Sequence, residues 1–317
     1  MIFEQDLNIK QKKMLNMFTH MLLSDLQVNI NGNKKSTFGF EIEFLPVEII
    51  NIKQVEKICL ILPELGFKNS ANGFLSDTGL CITFEPGGQI EFCSPPIEGN
   101  DLSRFDDFLN QIAETNGKIF KRLGIKYRCT SFIPNRAGID LCLEGTRYKF
   151  MHQRFKTSGT RGREMMKGTA AVHLHAGLKS IKELPAVYKT FCRLSKSKDF
   201  SMSDERRDIW QNTDPERCRM PDIDINNIDN NPGRLLKGIV HHALSVEDLY
   251  SSIPLYEMNN IEFDYFKEHL TTLFPDVRLN LKGPSLELRT PDSRPLPEMA
   301  EKWPKFTSII GALPDII

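Results

Sequence analysis

Apolar residues recur at helical spacing over residues 3–27, where Leu7, Ile9, Met14, Leu15, Phe18, Met21 and Leu22 form one stripe. Asn31-Gly32-Asn33 then breaks the pattern. Over Phe38–Leu45 the period switches to two, the alternation of a strand with one apolar and one polar face. Val47–Leu62 reads as a helix, with Asn51 as one option for its cap. Asn72-Gly73 and Asp77-Thr78-Gly79 are turn signals, and Leu80–Phe84 and Gln89–Cys93 read as strands of a hairpin around Pro86-Gly87-Gly88. Leu102–Leu123 carries the clearest helical stripe, through Leu102, Phe105, Phe108, Leu109, Ile112, Ile119 and Phe120.

Further on, Ile125–Ile133 and Thr169–Leu178 read as strands, Leu184–Leu194 as a helix, and Gly233–Leu249 and Phe263–Leu273 as helical. Val277–Leu281 and Ser285–Arg289 alternate as strands, and Lys302–Leu313 reads as a terminal helix. Tyr148–Arg163 is polar and contains glycine, the profile of a mobile loop. Ser201–Asn231 is rich in Asp, Asn, Arg and Pro, with too few apolar residues for a core element, and reads as a long ordered loop. Strands and helices mix without regular βαβ alternation, which predicts an α+β fold built on an antiparallel sheet. With no long linker and no sizeable repeat, residues 1–317 are expected to form a single domain.

Composition adds exclusions. Apolar residues make up 40% and charged residues 26% of the 317 residues, as in a globular protein rather than a disordered one. Lysine plus arginine (41) equals aspartate plus glutamate (41), so neither a nucleic-acid surface nor a polybasic membrane anchor is expected. Seven cysteines, an odd number without a CxxC pair, suit reduced thiols and a cytoplasmic location. The start shows no cationic region followed by an apolar run, and no stretch has the ~18 apolar residues of a membrane helix.

The polar faces of the strands carry the candidate chemistry. Glu41 and Glu43 share one face of Phe38–Leu45, opposite Phe40, Ile42 and Phe44. Gln89 and Glu91 share a face of the next strand, and Glu85 stands just before the glycine turn. Glu287 and Arg289 share a face in Ser285–Arg289. Any one such pair is ordinary on the solvated face of a sheet. Together they make a set of mutually repelling carboxylates that a cation would neutralise. Hard oxygen ligands suit Mg²⁺, with Mn²⁺ as an alternative, and carboxylates with nearby arginines suit phosphoryl transfer.

Several segments resemble glutamate–cysteine ligases of the plant and proteobacterial type. GFEIEF (39–44) and EPGGQIEF (85–92) are similar to that family's metal-binding signature. RRDIWQNTDPERC (206–218), VHHALSV (240–246) and HLTTLFPDVRLNLKGPSLELRTPDSRP (269–295) follow in the family's order, so the likeness runs from about residue 38 to 313. The resemblance implies a glutamine-synthetase-like cradle with helices outside the sheet. It also implies an ATP-dependent ligase that joins a carboxylate, such as the glutamate side chain, to an amine through an acyl phosphate. Carried over by motif, Glu41, Glu43, Glu85, Glu91 and Glu287 would be metal ligands, and Arg206 and Arg289 would stabilise the transferred phosphoryl group. Gln89, Trp210, Thr213 and Arg217 would line the substrate or nucleotide region. ATP, Mg²⁺, an amino acid and an amine would be the small-molecule partners.

The sequence departs from the family at three places. Ala171-Val172-His173-Leu174-His175 stands where the family has Val-Gln-Val-Asn-Leu. His173 and His175 share a strand face, which leaves open a changed substrate contact, a metal-binding pair or two tolerated replacements. The stretch between Gly177 and Asp204 is short, and Arg217-Cys218-Arg219 replaces Arg-Thr-Gly. These differences fall near the expected substrate-selecting region, so the acid and amine need not be glutamate and cysteine. A diverged non-catalytic nucleotide- or metabolite-binding regulator is the alternative. A two-metal nuclease or phosphatase would share the acidic strands but not the tryptophan and HLTTLFP segments.

Overall fold

The computed structural model describes residues 4–30, 35–99, 101–225, 230–281 and 283–313. Among them ten strands form one sheet: β1 (Thr37–Pro46), β2 (Phe67–Ser70), β3 (Gly73–Ser76), β4 (Cys81–Phe84), β5 (Ile90–Cys93), β6 (Ile97–Glu98), β7 (Tyr127–Arg128), β8 (Val172–Gly177), β9 (Val277–Asn280) and β10 (Ser285–Leu288). The order is β2-β3-β4-β5-β1-β8-β10-β9, with β6 and β7 also on β1, and the pairings are antiparallel. The α+β class with an antiparallel sheet and surrounding helices is thus the observed one.

Register sorts the side chains by face. Glu41 lies between Cys93 of β5 and His173 of β8, and Glu43 lies opposite Glu91. Beyond β8, His175 pairs with Glu287, which pairs in turn with Arg278 of β9. One face of the central strands is therefore a row of ionisable groups. The other holds Phe40, Ile42, Ile90, Phe92, Leu174, Leu286 and Leu288, all fully buried. Those residues pack against the helices that cover that face. Phe40 meets Phe105 of α3 (Leu102–Leu123) at 5.4 Å and Trp303 of the terminal helix Leu296–Gly311 at 5.9 Å, and Phe105 stacks on Trp303 at 4.5 Å.

Capping chemistry set two helix starts that periodicity left loose. The first helix is α1 (Ile9–Asn29), opened by an Asn8–Gln11 capping box rather than at residue 3. The second is α2 (Ile52–Ile61), opened by the same device at Asn51 and Gln54. The Asn31-Gly32-Asn33 break lies outside the described residues.

Four expectations change. Ile125–Ile133 contributes only the two-residue β7 and an isolated bridge from Phe132 to Thr169, because the chain there turns across the end of β1. The terminal helix begins at Leu296, not Lys302, since Pro295 and Pro297 favour a helix start. Tyr148–Arg163 is not a loop. It contributes most of α4 (Thr146–Arg154) and the start of α5 (Gly162–Gly168), which bury Met151, Phe155 and Met166 in a small core with Trp210 and Phe274. Nor is Ser201–Asn231 a loop throughout: it contains helices Asp204–Gln211 and Pro215–Cys218. Their inward faces carry Arg206 and Arg217 beside Ile209 and Trp210, so the polar composition hid a buried element.

Candidate active site

Over the ionisable face of the sheet lies a cleft of about 270 Å³, whose lining includes Glu41, Glu43, Glu85, Gln89, Glu91 and His173. The β1 and β5 alternation delivers Glu41, Glu43 and Glu91. Glu85 comes from the turn between β4 and β5, closed by Glu85 N–H to Gln89 O and Gly88 N–H to Glu85 O at 2.9 Å each. Gly88 takes φ +83°, and its missing Cβ leaves room for Ile50. The opposite walls supply Arg147 and Tyr148 from α4, Met165 and Met166 from α5, Trp210, Phe274, Arg278 and Arg289.

The carboxylates fall into two electrostatic groups. Glu287 is fully buried between two guanidinium groups: Arg278 Nε and Nη2 reach one oxygen at 2.8 and 2.7 Å, and Arg289 Nη1 bonds the other. Burial pushes its carboxyl up, but Arg278 and Arg289 outweigh that and hold it down at about 2. Glu85 and Glu91 lack such partners. Burial, and then the charge of Glu43 and Glu41, push Glu85 up to about 8. Burial, with Glu41, Glu85 and Glu43, raises Glu91 well above the ordinary range, although Thr83 Oγ1 donates to it at 2.8 Å. Glu43 accepts from the Ala171 N–H at 2.8 Å. This concentration of carboxylates in one cleft is what a divalent cation relieves.

The two histidines are interleaved among these groups. His173 Nδ1 lies 2.8 Å from Glu41 Oε2 and 3.4 Å from Glu287 Oε1, and its Nε2 lies 3.8 Å from Glu43 Oε1. His175 Nε2 lies 3.3 Å from Glu41 Oε1, but the ring faces a second cavity, beside Cys93 and Ser94. Burial raises the Glu41 carboxyl, yet the two imidazoles, His175 foremost, outweigh it and hold Glu41 well below its usual value. Potential ligand atoms of Glu41, Glu91 and His173, and of Glu41, His175 and Glu287, lie within 4.8 Å of one another.

The family profile described as glutamate–cysteine ligase family 2 matches residues 37–309. The chain belongs to that family. Among similar curated proteins is glutamate–cysteine ligase B, chloroplastic, of Oryza sativa subsp. japonica, 24% identical over 83% of this chain and 59% of that protein. Another is the chloroplastic glutamate–cysteine ligase of Arabidopsis thaliana, 24% identical over 83% of this chain and 56% of its own length. The chain thus spans less than two thirds of these plant relatives. A solved bifunctional glutathione synthetase from Pasteurella multocida aligns over 92% of this chain and 40% of its own, at 13% identity and a TM-score of 0.39, too distant to carry an argument.

Within this family member, the residues singled out from sequence separate into lining and scaffold. Glu41, Glu43, Glu85, Glu91, His173 and Arg289 reach the cleft, whereas Glu287, His175, Thr213 and Arg217 do not line it. Gln89 borders the cleft, but its side chain is committed to the wall. Its Oε1 accepts from the Gly87 N–H at 2.8 Å, and its Nε2 donates to the carbonyls of Met166 and Thr169 at 3.3 and 3.1 Å. Arg206 also borders the cleft, yet its terminal nitrogens hold the carbonyls of Arg289, Thr290 and Pro291 and the Asp292 carboxylate. It is a clamp on the chain beyond β10 and positions Arg289. Trp210 lines the cleft while its Nε1 donates to Phe274 O at 3.0 Å.

Thr213 is wholly buried, with its hydroxyl on Ile209 O at 2.8 Å. Arg217 is equally enclosed and bonds Thr272 Oγ1 at 2.5 Å and the Glu247 carbonyl. Among the missed residues, Arg278 was readable: alternation in Val277–Leu281 puts it on one face with Asn280, but only register places it opposite Glu287. Arg147 and Tyr148 had no legible signal, because they sit on a helix whose exposed polar residues mimic a loop. Among the described residues no helix is long and apolar enough to cross a membrane.

Proposed function

We propose that this chain is the catalytic unit of an ATP-dependent carboxylate–amine ligase. The observation that carries the reading is one cleft holding Glu41, Glu43, Glu85 and Glu91 on one wall and Arg147, Arg278 and Arg289 on the others. A pure binding module has no need of four carboxylates pushed together against their own repulsion. Glu41, Glu43, Glu85 and Glu91 fit a divalent cation, Mg²⁺ being the ordinary partner of ATP, which would neutralise phosphate charge when bound. Glu287 takes another part. Already neutralised by two arginines, it orients Arg278 and Arg289 toward the cleft.

In this reading the guanidinium groups bind the anionic phosphate oxygens and the carboxylate acid, and hold them in line. The acid's carboxylate oxygen attacks the terminal phosphorus, the bond to ADP breaks, and an acyl phosphate forms. An uncharged amine then attacks the acyl carbon, phosphate leaves, and the amine's proton passes to a base. Tyr148, Met151, Met165, Met166, Trp210 and Phe274 around the cleft limit water, which would otherwise hydrolyse the acyl phosphate. An amino acid is the expected acid, with the amine unassigned.

The test is to supply Mg-ATP with a panel of amino acids and amines and to follow ADP and amide by mass spectrometry. ADP formation that requires both an acid and an amine is the expected result. Tight ATP binding with no turnover on any pair would instead favour a nucleotide-binding regulator.

A further inference from the structure

The cleft has two ends of different chemistry. At one, Arg147 and Arg278 stand with Glu41 at the passage into a neighbouring cavity of about 590 Å³. At the other lie Tyr148, Met151, Met165, Met166, Trp210 and Phe274, none of which borders that cavity. Arg289 lies between the two ends, its guanidinium 6.0 Å from the centroid of the Phe274 ring and bonded to Glu287.

The helices that build the apolar end carry several cations, but these are turned to other partners. Arg154 bonds Asp214 and Glu247, and Arg161 bonds Glu164 and Asp208. Lys167 donates to the carbonyls of Ala137 and Ile139. Arg207 bonds Asp276, and the donors of Arg206 and Arg217 are spent as described above. Polar atoms of the wall are engaged as well: Trp210 Nε1 with Phe274 O, and Thr169 Oγ1 with Met165 O at 2.7 Å. Thioether and aromatic surface is left to face the space, with the Tyr148 hydroxyl as its polar group.

A carboxylate brought to this end would lose its hydration and find its nearest cation, Arg289, already paired with Glu287. An apolar group would gain by burial, and the flexible methionine side chains adapt to its shape. The same surround disfavours an ammonium ion, and the attacking nitrogen needs its lone pair.

We propose that the amine substrate is an alkylamine or arylalkylamine without an α-carboxylate, an assignment that rests on the ligase reading and supplies the amine it leaves open. Its apolar body lies against Met165, Trp210 and Phe274, and its nitrogen points to the acyl phosphate. Arg147, Arg278 and Arg289 are then reserved for the phosphates and the acid.

The test gives the full chain Mg-ATP, each common amino acid in turn as the acid, and amines in matched pairs: phenethylamine with phenylalanine, isopentylamine with leucine, cysteamine with cysteine. Members of a pair differ only by the carboxylate. Amide formation should have a kcat/KM roughly tenfold or more higher for the member without it. From propylamine to pentylamine, kcat/KM should rise about fourfold per methylene. Met165→Lys, at a half-buried position, offers a carboxylate a partner and should cut the preference roughly tenfold, whereas Met165→Leu should keep it. Equal or higher kcat/KM for the carboxylated members would overturn the assignment and leave the ligase reading standing. So would a Met165→Lys protein that is folded by circular dichroism and keeps the parent's preference. No amide from any combination would sink the ligase reading, and the amine assignment with it.

Discussion

Glu287 shows how one residue's role depends on what its neighbours leave for it to do. Alternation puts it on the ionisable face, and the likeness to a ligase signature suggests a metal ligand. In the fold it is fully buried and both oxygens are taken by Arg278 and Arg289. Removing its charge would leave two guanidinium groups without a counter-ion in a place water scarcely reaches. Glu287→Gln is therefore expected to destabilise the protein by about 3–5 kcal/mol, read as a lowered urea midpoint, as well as to abolish amide formation. A variant as stable as the parent would mean that solvent reaches this pair. The same logic distinguishes Arg289, whose guanidinium bonds Glu287 at the cleft wall, from Arg206, whose donors are spent on backbone carbonyls and the Asp292 carboxylate.

At the scale of elements, the β4–β5 turn and α5 are built against each other. Gly87 passes so close to Lys167 that a Cβ would lie 2.4 Å from its carbonyl oxygen and 2.6 Å from its Cα. Both are backbone atoms and cannot swing aside. Gly87→Ala should shift the turn that carries Glu85 and cost about 1–3 kcal/mol, with weaker divalent-cation binding by calorimetry. Gly117→Ala is the matched control: it lies inside α3 with nothing within 4 Å of the new methyl, and should raise stability by about 0.5–1 kcal/mol. Cation affinity unchanged in Gly87→Ala would show that Glu85 is not held by this turn.

How much was legible also differs by element. Strands such as β1 and β10 were readable because each has one apolar and one charged face. The helices Asp204–Gln211 and Pro215–Cys218 were not, because burial there is achieved with arginine. A guanidinium can be buried where carbonyls and carboxylates meet its five N–H groups, and nothing in the local sequence reveals those partners. For the same reason Thr213 and Arg217, which sit in a recognisable motif, turn out to brace the wall behind the cleft instead of lining it.

For the molecule as a whole, the ionisable face has a consequence for pH. Glu85 has an ordinary value of 4.5 and is pushed up to about 8 in the fold. Between these values the native state binds the proton that the unfolded state has lost, so this group's contribution falls as pH rises. Glu287 has the opposite sign: its stabilisation is present above 4.5 and is lost as pH falls toward 2. In EDTA, Glu85→Gln should therefore gain stability relative to the parent as pH rises from about 5 to about 8, in paired urea titrations. Mg²⁺ should narrow the gap by binding the ionised parent. A gap that stays constant with pH would mean Glu85 is ionised throughout.

The sequence by itself determined which faces of the strands are apolar, where Asn51 could cap a helix, and that carboxylates recur two apart in a ligase-like order. Those are local properties, set by side-chain alternation and by hydrogen bonds three residues long. Only the tertiary structure decided that β8 lies between β1 and β10, and so that His173 sits among Glu41, Glu43 and Glu287. It also decided which arginines face the cleft and which are consumed behind it. Register and long-range pairing make those choices, because a charge is worth something different beside a carboxylate than beside a carbonyl.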